Sequence, residues 1–207
     1  MKKLANILLI GAGGSGKGTI ASELVKKYGL NHISMGDVLR RSKNHHITNT
    51  IKKGLLVPDS IAFDELELHL QTLNILDGFP RTTDQLHAML KRKWSILTVL
   101  TIELPDDVIL DRLQHRRIHP MSGRIYHLKF SPPKTPGVDD FTQEALVQRA
   151  DDQPHIIKKR LKIYRDITYP ILEECRALHI PVHSFENPTS EQNYIEMCTI
   201  LDKLLNK

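Results

Sequence analysis

The chain has 207 residues, 40% of them hydrophobic, with 29 Lys and Arg against 24 Asp and Glu, a net charge of +5 and a pI near 9.2. That length suits one main domain with a sizeable core, and no apolar run approaches the ~20 residues that span a bilayer. Two distant cysteines, Cys175 and Cys198, match no metal spacing and exclude a disulfide framework, so a reducing compartment is expected.

The first predicted element is a buried strand, Leu4–Ile10. Lys2-Lys3 before it superficially resemble the start of a signal peptide, but cleavage after the run would cut into a glycine-rich loop. An intact cytoplasmic start is expected, with a mitochondrial space as the alternative. Residues 11–19 then read Gly-Ala-Gly-Gly-Ser-Gly-Lys-Gly-Thr, and a helix pattern follows over Ile20–Tyr28. Strand, G-x-x-x-x-G-K and helix in that order make a phosphate-binding loop. Glycines let successive backbone N–H groups turn inward, and the helix start adds unpaired N–H groups and the positive end of its dipole. Gly14, Ser15, Gly16, Lys17, Gly18 and Thr19 are therefore candidate ligands of a nucleoside triphosphate. Gly18 stands where the general pattern has Ser or Thr, and Thr19 follows one place later.

Further short apolar runs, His32–Ile33, Leu73–Leu76, Ile96–Leu104 and Ile180–Phe185, predict strands covered on both faces. Helices are predicted over Ser60–Leu70, Thr83–Lys91, Pro105–Arg117, Pro154–Cys175 and Ser190–Leu205, with Thr189 and Gln192 as a capping box for the last. The alternation predicts an α/β fold: a parallel five-stranded sheet flanked by helices, of the P-loop NTPase type. Two stretches break the rhythm, a polar basic one over 34–60 and one over 115–152 rich in Pro, Gly and Asp. Such segments are usually lids or binding elements. The reading is thus one core over 1–207 with two inserts.

Arg40, Arg81, Arg112, Arg116, Arg149 and Arg160 fall at helix ends, loops or insert boundaries. A phosphate acceptor is already a nucleophile and needs no general base. Bringing two phosphates together needs positive charge instead, so these arginines favour a polyanionic small substrate over nucleic acid. Asp77-Gly-Phe-Pro-Arg81 follows a strand end, where α/β ligands bind, and Asp77 can hold Mg²⁺ through water.

With these residues in hand the chain resembles adenylate kinases over nearly its whole length. The order Gly18-Thr19 is a feature of that family's loop. Ile33-Ser-Met-Gly-Asp-Val-Leu-Arg40, Gly54-Leu-Leu-Val57 and Asp77-Gly-Phe-Pro-Arg-Thr82 with Gln85 resemble its monophosphate-site motifs, and Arg116 to His127 with Phe130-Ser-Pro-Pro-Lys134 resembles its long lid. The resemblance implies MgATP and AMP as partners, a monomer, and neither nucleic acid nor membrane. It implies Lys17, Arg81, Arg116, Arg149 and Arg160 as catalytic residues. It places ATP on residues 14–19 with Arg112, Arg116, Ile125, Tyr126, His127 and Gln192. It places AMP among Met35, Arg40, Leu55, Leu56, Val57, Gly78, Phe79, Pro80, Arg81, Gln85, Arg149 and Arg160. Met35 stands where the family usually has Thr or Ser, and the monophosphate insert is shorter than usual. Lid cysteines that hold zinc in some relatives are replaced by His119, Ser122, Asp139 and Thr142, which implies a hydrogen-bonded substitute and no structural zinc. The rivals are a related kinase using GTP as donor or another acceptor base, and, from a different class, a non-catalytic nucleotide- or nucleic-acid-binding protein.

Overall fold

The computed structural model of the protein describes residues 4–186 and 190–205. The chain begins β1 (Ala5–Gly11), α1 (Lys17–Tyr28), β2 (Asn31–Ser34), α2 (Met35–Arg41), α3 (His45–Lys52), α4 (Asp59–Glu67) and β3 (Leu73–Asp77). It continues α5 (Thr83–Lys91), β4 (Ser95–Ile102), α6 (Asp106–Gln114), β5 (Arg116–Ile118) and β6 (Ile125–His127). After a 3₁₀ turn at Ala150–Asp152 come α7 (Pro154–Ile163), α8 (Pro170–Ala177), β7 (Val182–Phe185) and α9 (Glu191–Leu205).

The main sheet has the order β2-β3-β1-β4-β7 and every neighbouring pair is parallel. This is the five-stranded P-loop-type sheet expected from the alternation. β1 lies at its centre and reads as continuous apolar sequence because both of its faces are covered. Its side chains alternate. Leu8 and Ile10 join Leu76, Phe79, Leu86 and Met89 in a core against α2, α4, α5 and α8. Ile7 and Leu9 join Ile20, Leu24, Met197 and Leu201 on the other face, against α1 and α9. Each fully buried Leu or Ile contributes about 1.5–3 kcal/mol of transfer free energy, so the sheet is a rigid platform. β1, β2 and β3 release their loops at one edge, and those loops carry the phosphate loop, Met35 and the segment Asp77–Arg81. No helix among the described residues is long and apolar enough to cross a membrane.

Several expectations are corrected. The predicted helix Pro154–Cys175 is broken by a π turn at Tyr164–Thr168, where the Tyr169 N–H reaches Tyr164 O at 2.7 Å. Pro170 is the cause: it has no N–H to donate and its ring would strike the carbonyl four residues back. The helix predicted to reach Arg117 ends at Gln114, because Arg116–Ile118 pair antiparallel with Ile125–His127 instead. β4 stops at Ile102, short of Leu104, ahead of Pro105. α1 starts at Lys17, so the loop runs directly into the helix. Span 34–60 contains α2 and α3, the latter capped by Asn44, whose Oδ1 accepts the His46 N–H at 2.9 Å. Thr189 of the expected capping box lies outside the described residues.

Candidate active site

The phosphate loop needs its glycines for two separate reasons. Gly14 has φ of 93°, and a Cβ there would meet Leu113 Cγ at 2.7 Å. At Gly13 a Cβ would fall 2.2 Å from Arg160 Nη2, so the missing side chain is what lets a guanidinium lie against the loop. Lys17 is buried and donates to Gly11 O and Ala12 O, each at 2.8 Å. Its ammonium stands 4.0 Å from Asp77. Burial pushes the Lys17 pKa down to about 8, Asp77 opposes this, and Arg81, Arg160 and Arg116 add to the lowering. The Ser15 hydroxyl is buried with no partner among the described residues. Gly18 and Thr19 are exposed on the first turn of α1.

Around Lys17 lies a cage of cations tied to a smaller set of carboxylates. Arg116 grips Asp152 with two bonds of 2.9 and 2.6 Å. Arg160 reaches Asp151 at 3.1 Å and Asp152 at 3.4 Å. Arg40 pairs with Asp151 at 2.8 Å and Asp37 at 3.2 Å, and Arg149 pairs with Asp37 at 3.1 Å. Burial lowers Arg160 to about 10 with Arg116 and Arg40 assisting, and lowers Arg149 to about 10 with Arg40 and Arg116 assisting. Burial would raise Asp151, but Arg40 and Arg160 outweigh it and bring the carboxyl down to about 2. Arg40 Nε and Arg149 Nε are buried donors without partners among the described residues. The cage therefore holds more positive charge and more N–H donors than the protein itself uses.

Beside the cage opens a pocket lined by Met35, Arg40, Leu55, Leu56, Val57, Gly78, Phe79, Arg81, Gln85 and Arg160. The structure thus gathers nearly all the residues expected around the monophosphate. Pro80 is buried directly beside them, after a cis Phe79–Pro80 bond. Gly78 has φ of 77° and lets Arg81 Nη2 approach to 2.8 Å of where a Cβ would be. Arg81 Nε donates to Gly78 O at 2.8 Å, which aims the guanidinium back toward the strand ends. Met35 is buried and presents a thioether where a hydroxyl was missed in sequence.

The lid pairs β5 with β6 and closes through bridges Ile118↔Val147 and Val138↔Ala145. Its hub is Asp139, which is fully buried. It accepts from Arg124 Nε at 2.7 Å, Tyr126 OH at 3.0 Å, and the N–H groups of Phe141 and Thr142 at 3.1 and 2.9 Å. The Arg124 guanidinium, with Thr142 N–H and Tyr126, holds the Asp139 carboxyl well below the usual carboxylate range. His119 joins Ser122 Oγ at 2.8 Å, Glu144 at 2.6 Å and Thr142 Oγ1 at 3.4 Å. The four residues expected to replace a metal are brought together, with Glu144, Arg124 and Tyr126 added. Tyr126, expected beside the donor nucleotide, has a buried ring whose hydroxyl serves the lid. Ile125 is exposed beside it.

His127 stacks on Phe130 with centroids 4.6 Å apart, near His115. Its Nδ1 faces the N–H groups of Lys129 and Phe130, which assigns the ring proton to Nε2, a buried atom with no partner. Burial, then His115, lowers the His127 pKa. Arg112 lies in the last turn of α6 with Nη1 3.4 Å from Ser15 O, so an aromatic plane and a guanidinium flank the loop's outer side. Gln192 is exposed in the first turn of α9 and makes no side-chain hydrogen bond to the loop among the described residues.

Sequence reasoning passed over Asp37, Asp59, Asp151 and Asp152 as working partners. Asp37 carries a local signal, since it is three residues before Arg40 on one helix face. Asp151 stands with Asp152 and Arg160 in a segment that resembles the family's, but its pairing with Arg40, 111 residues away, leaves no local trace.

A family model described as adenylate kinase matches residues 9–178. The chain is 42% identical over 180 residues to a Drosophila melanogaster protein named "GTP:AMP phosphotransferase, mitochondrial", covering 82% of this chain and 83% of that protein. It is 41% identical over 177 residues to a protein named "Adenylate kinase" from Baumannia cicadellinicola subsp. Homalodisca coagulata, covering 80% of this chain and 83% of that protein.

Proposed function

Because this chain belongs to the adenylate kinase family and is a nucleoside-monophosphate phosphotransferase, we propose that it moves the γ-phosphoryl group of MgATP to AMP, giving two ADP, and also runs the reverse reaction. One observation carries the reading: Arg160 lies against Gly13 of the phosphate loop and also lines the pocket around Gln85. A single side chain therefore borders both the phosphate loop and the pocket, which supports phosphates bound in each facing one another across it.

The chemistry asked of the protein is positioning and charge neutralisation. The acceptor phosphate attacks with its own oxygen and needs no base. In this reading Arg40 and Arg81 hold that phosphate, and Gln85 meets the base above Leu55, Leu56 and Val57. Gly14 to Thr19 and Lys17 hold the donor phosphates, with Arg112 and His127 flanking the donor base. Arg116, Arg149 and Arg160 neutralise charge spreading over the transferred group. Spans 34–60 and 115–152 act as the closing inserts and exclude water. The partners are the two nucleotides, and the protein works as a monomer.

Family membership implies Mg²⁺, which arrives with ATP and neutralises its phosphate charge. Burial would raise Asp77, but His32 and Lys17 outweigh it and keep the carboxyl below its usual range. No group of three or more metal-ligating side chains gathers there among the described residues, so the donor set is too small for an all-protein cage. It fits an ion held through its own water shell, and Asp77 is the residue that would hold those waters.

A second reading, GTP as donor, draws support from the name of the Drosophila relative. A coupled assay pairing ATP and GTP with each monophosphate tests both. The ATP–AMP pair is expected to be fastest. A GTP–AMP rate about tenfold higher moves the donor to GTP, and absence of AMP-dependent turnover ends the reading.

A further inference from the structure

Gln85 is buried in the first turn of α5 and lines the acceptor pocket. Its side-chain amide is anchored at both ends. Oε1 accepts the Arg81 backbone N–H at 2.7 Å, and Nε2 donates to Asp59 Oδ1 at 2.7 Å. The two ends of an amide are nearly isosteric, so its neighbours decide which way it points. Here one neighbour is a backbone N–H that only donates, and the other is a carboxylate that accepts. Both demand the same orientation. The Arg81 peptide is itself held, because Thr168 Oγ1 donates to Arg81 O at 3.0 Å.

We infer that Asp59, at the start of α4, is a positioning residue that locks the Gln85 amide and thereby makes the acceptor pocket prefer 6-aminopurines over 6-oxopurines. The inference rests on the reading of this pocket as the monophosphate site. An amide has two N–H groups and two lone pairs, and the protein uses one of each. One N–H and one lone pair are left side by side. They match an edge with an acceptor beside a 6-amino donor, as adenine presents. A 6-oxopurine reverses that order, with O6 accepting and N1–H donating. A free amide would meet the reversed edge by flipping. The anchored one would have to set its oxygen against the Asp59 carboxylate and its N–H against the Arg81 N–H.

AMP and IMP differ in just these atoms. The test measures kcat/KM for both, with ATP fixed, in the wild type, Asp59→Ala and Asp59→Asn; if Asp59→Ala does not fold, Asp59→Ser replaces it. Asp59→Ala is expected to lower the AMP-over-IMP ratio about tenfold, with KM for AMP rising more than kcat falls. Asp59→Asn keeps an acceptor oxygen and is expected to hold the ratio within about threefold of wild type. A ratio unchanged within about twofold in Asp59→Ala overturns the lock, as does an Asp59→Asn variant as impaired as Asp59→Ala. Calorimetric binding of the four common monophosphates to the same proteins separates this from the functional reading. A wild type that prefers another base fails the AMP assignment. The lock is then judged by whether the Ala variant flattens that preference, which supports it, or leaves it intact, which overturns it.

Discussion

The lid and the phosphate cage are both built from buried charge, yet they are balanced in opposite ways. In the lid, Asp139 meets a two-pronged Arg124, a tyrosine hydroxyl and backbone N–H groups, so its oxygens are satisfied by the protein. In the cage, the carboxylates that Lys17, Arg40, Arg81, Arg116, Arg149 and Arg160 face among the described residues are Asp37, Asp77, Asp151 and Asp152. Arg40 Nε, Arg149 Nε and Ser15 Oγ are left without partners among the same residues. Satisfied charge makes structure, and surplus charge of one sign makes a binding site for its opposite. The depressed pKa values at Lys17, Arg149 and Arg160 come first from burial and then from neighbouring cations, and bound phosphates would oppose both.

The comparison predicts that cage substitutions cost activity while lid substitutions cost order. Lys17→Ala removes the one cation inside the loop, and kcat is expected to fall about 10³-fold in a folded protein. Near-normal turnover would break the assignment. Arg160→Ala is expected to cut kcat/KM for ATP and AMP together by about 10²-fold, because that side chain borders both the loop and the pocket. A loss confined to one nucleotide would show that it serves only one of them. Arg81→Ala should weaken AMP use mainly, by about 10²-fold in kcat/KM, and an unchanged rate at all AMP concentrations would refute its role.

A pH profile sharpens the electrostatic half of the comparison. Lys17 binds phosphate as a cation, which is present below its pKa and lost above it. With that pKa pushed down to about 8, kcat/KM for ATP should decline above pH 8. Lys17→Arg should move this limb to higher pH. On the other side, Asp139→Asn removes a charge from a satisfied network. It is expected to lower Tm by roughly 5 °C and speed proteolysis within 115–152, while the affinity of the monophosphate pocket stays unchanged. Loss of AMP binding with an intact lid would contradict the division of labour.

How much of this was readable beforehand depends on sequence distance. The loop from Gly11 to Thr19 declares itself, because strand, glycines, lysine and helix are contiguous. The centre of the sheet was legible for the same reason: β1, β3 and β4 are contiguous, largely apolar and mostly buried runs. The break at Tyr164–Thr168 was missed although Pro170 announces it, because the apolar spacing continues through the proline. The cross-links that tie the cage together were missed because their partners are remote, as with Arg149 and Asp37, 112 residues apart. Tyr126 was expected at the donor nucleotide from the family resemblance alone, and the pairing of β5 with β6 together with the bond to Asp139 shows that its hydroxyl also ties the lid.

The central claim is direct transfer from a phosphate on the loop to a phosphate in the pocket. Single-turnover reaction of the enzyme with ATP labelled at its γ-phosphorus, in the presence of AMP, tests it most directly. The account predicts that the label appears at the β-position of ADP formed from AMP, without passing through inorganic phosphate or a labelled protein. Label released to water, or retained on the chain, would contradict it.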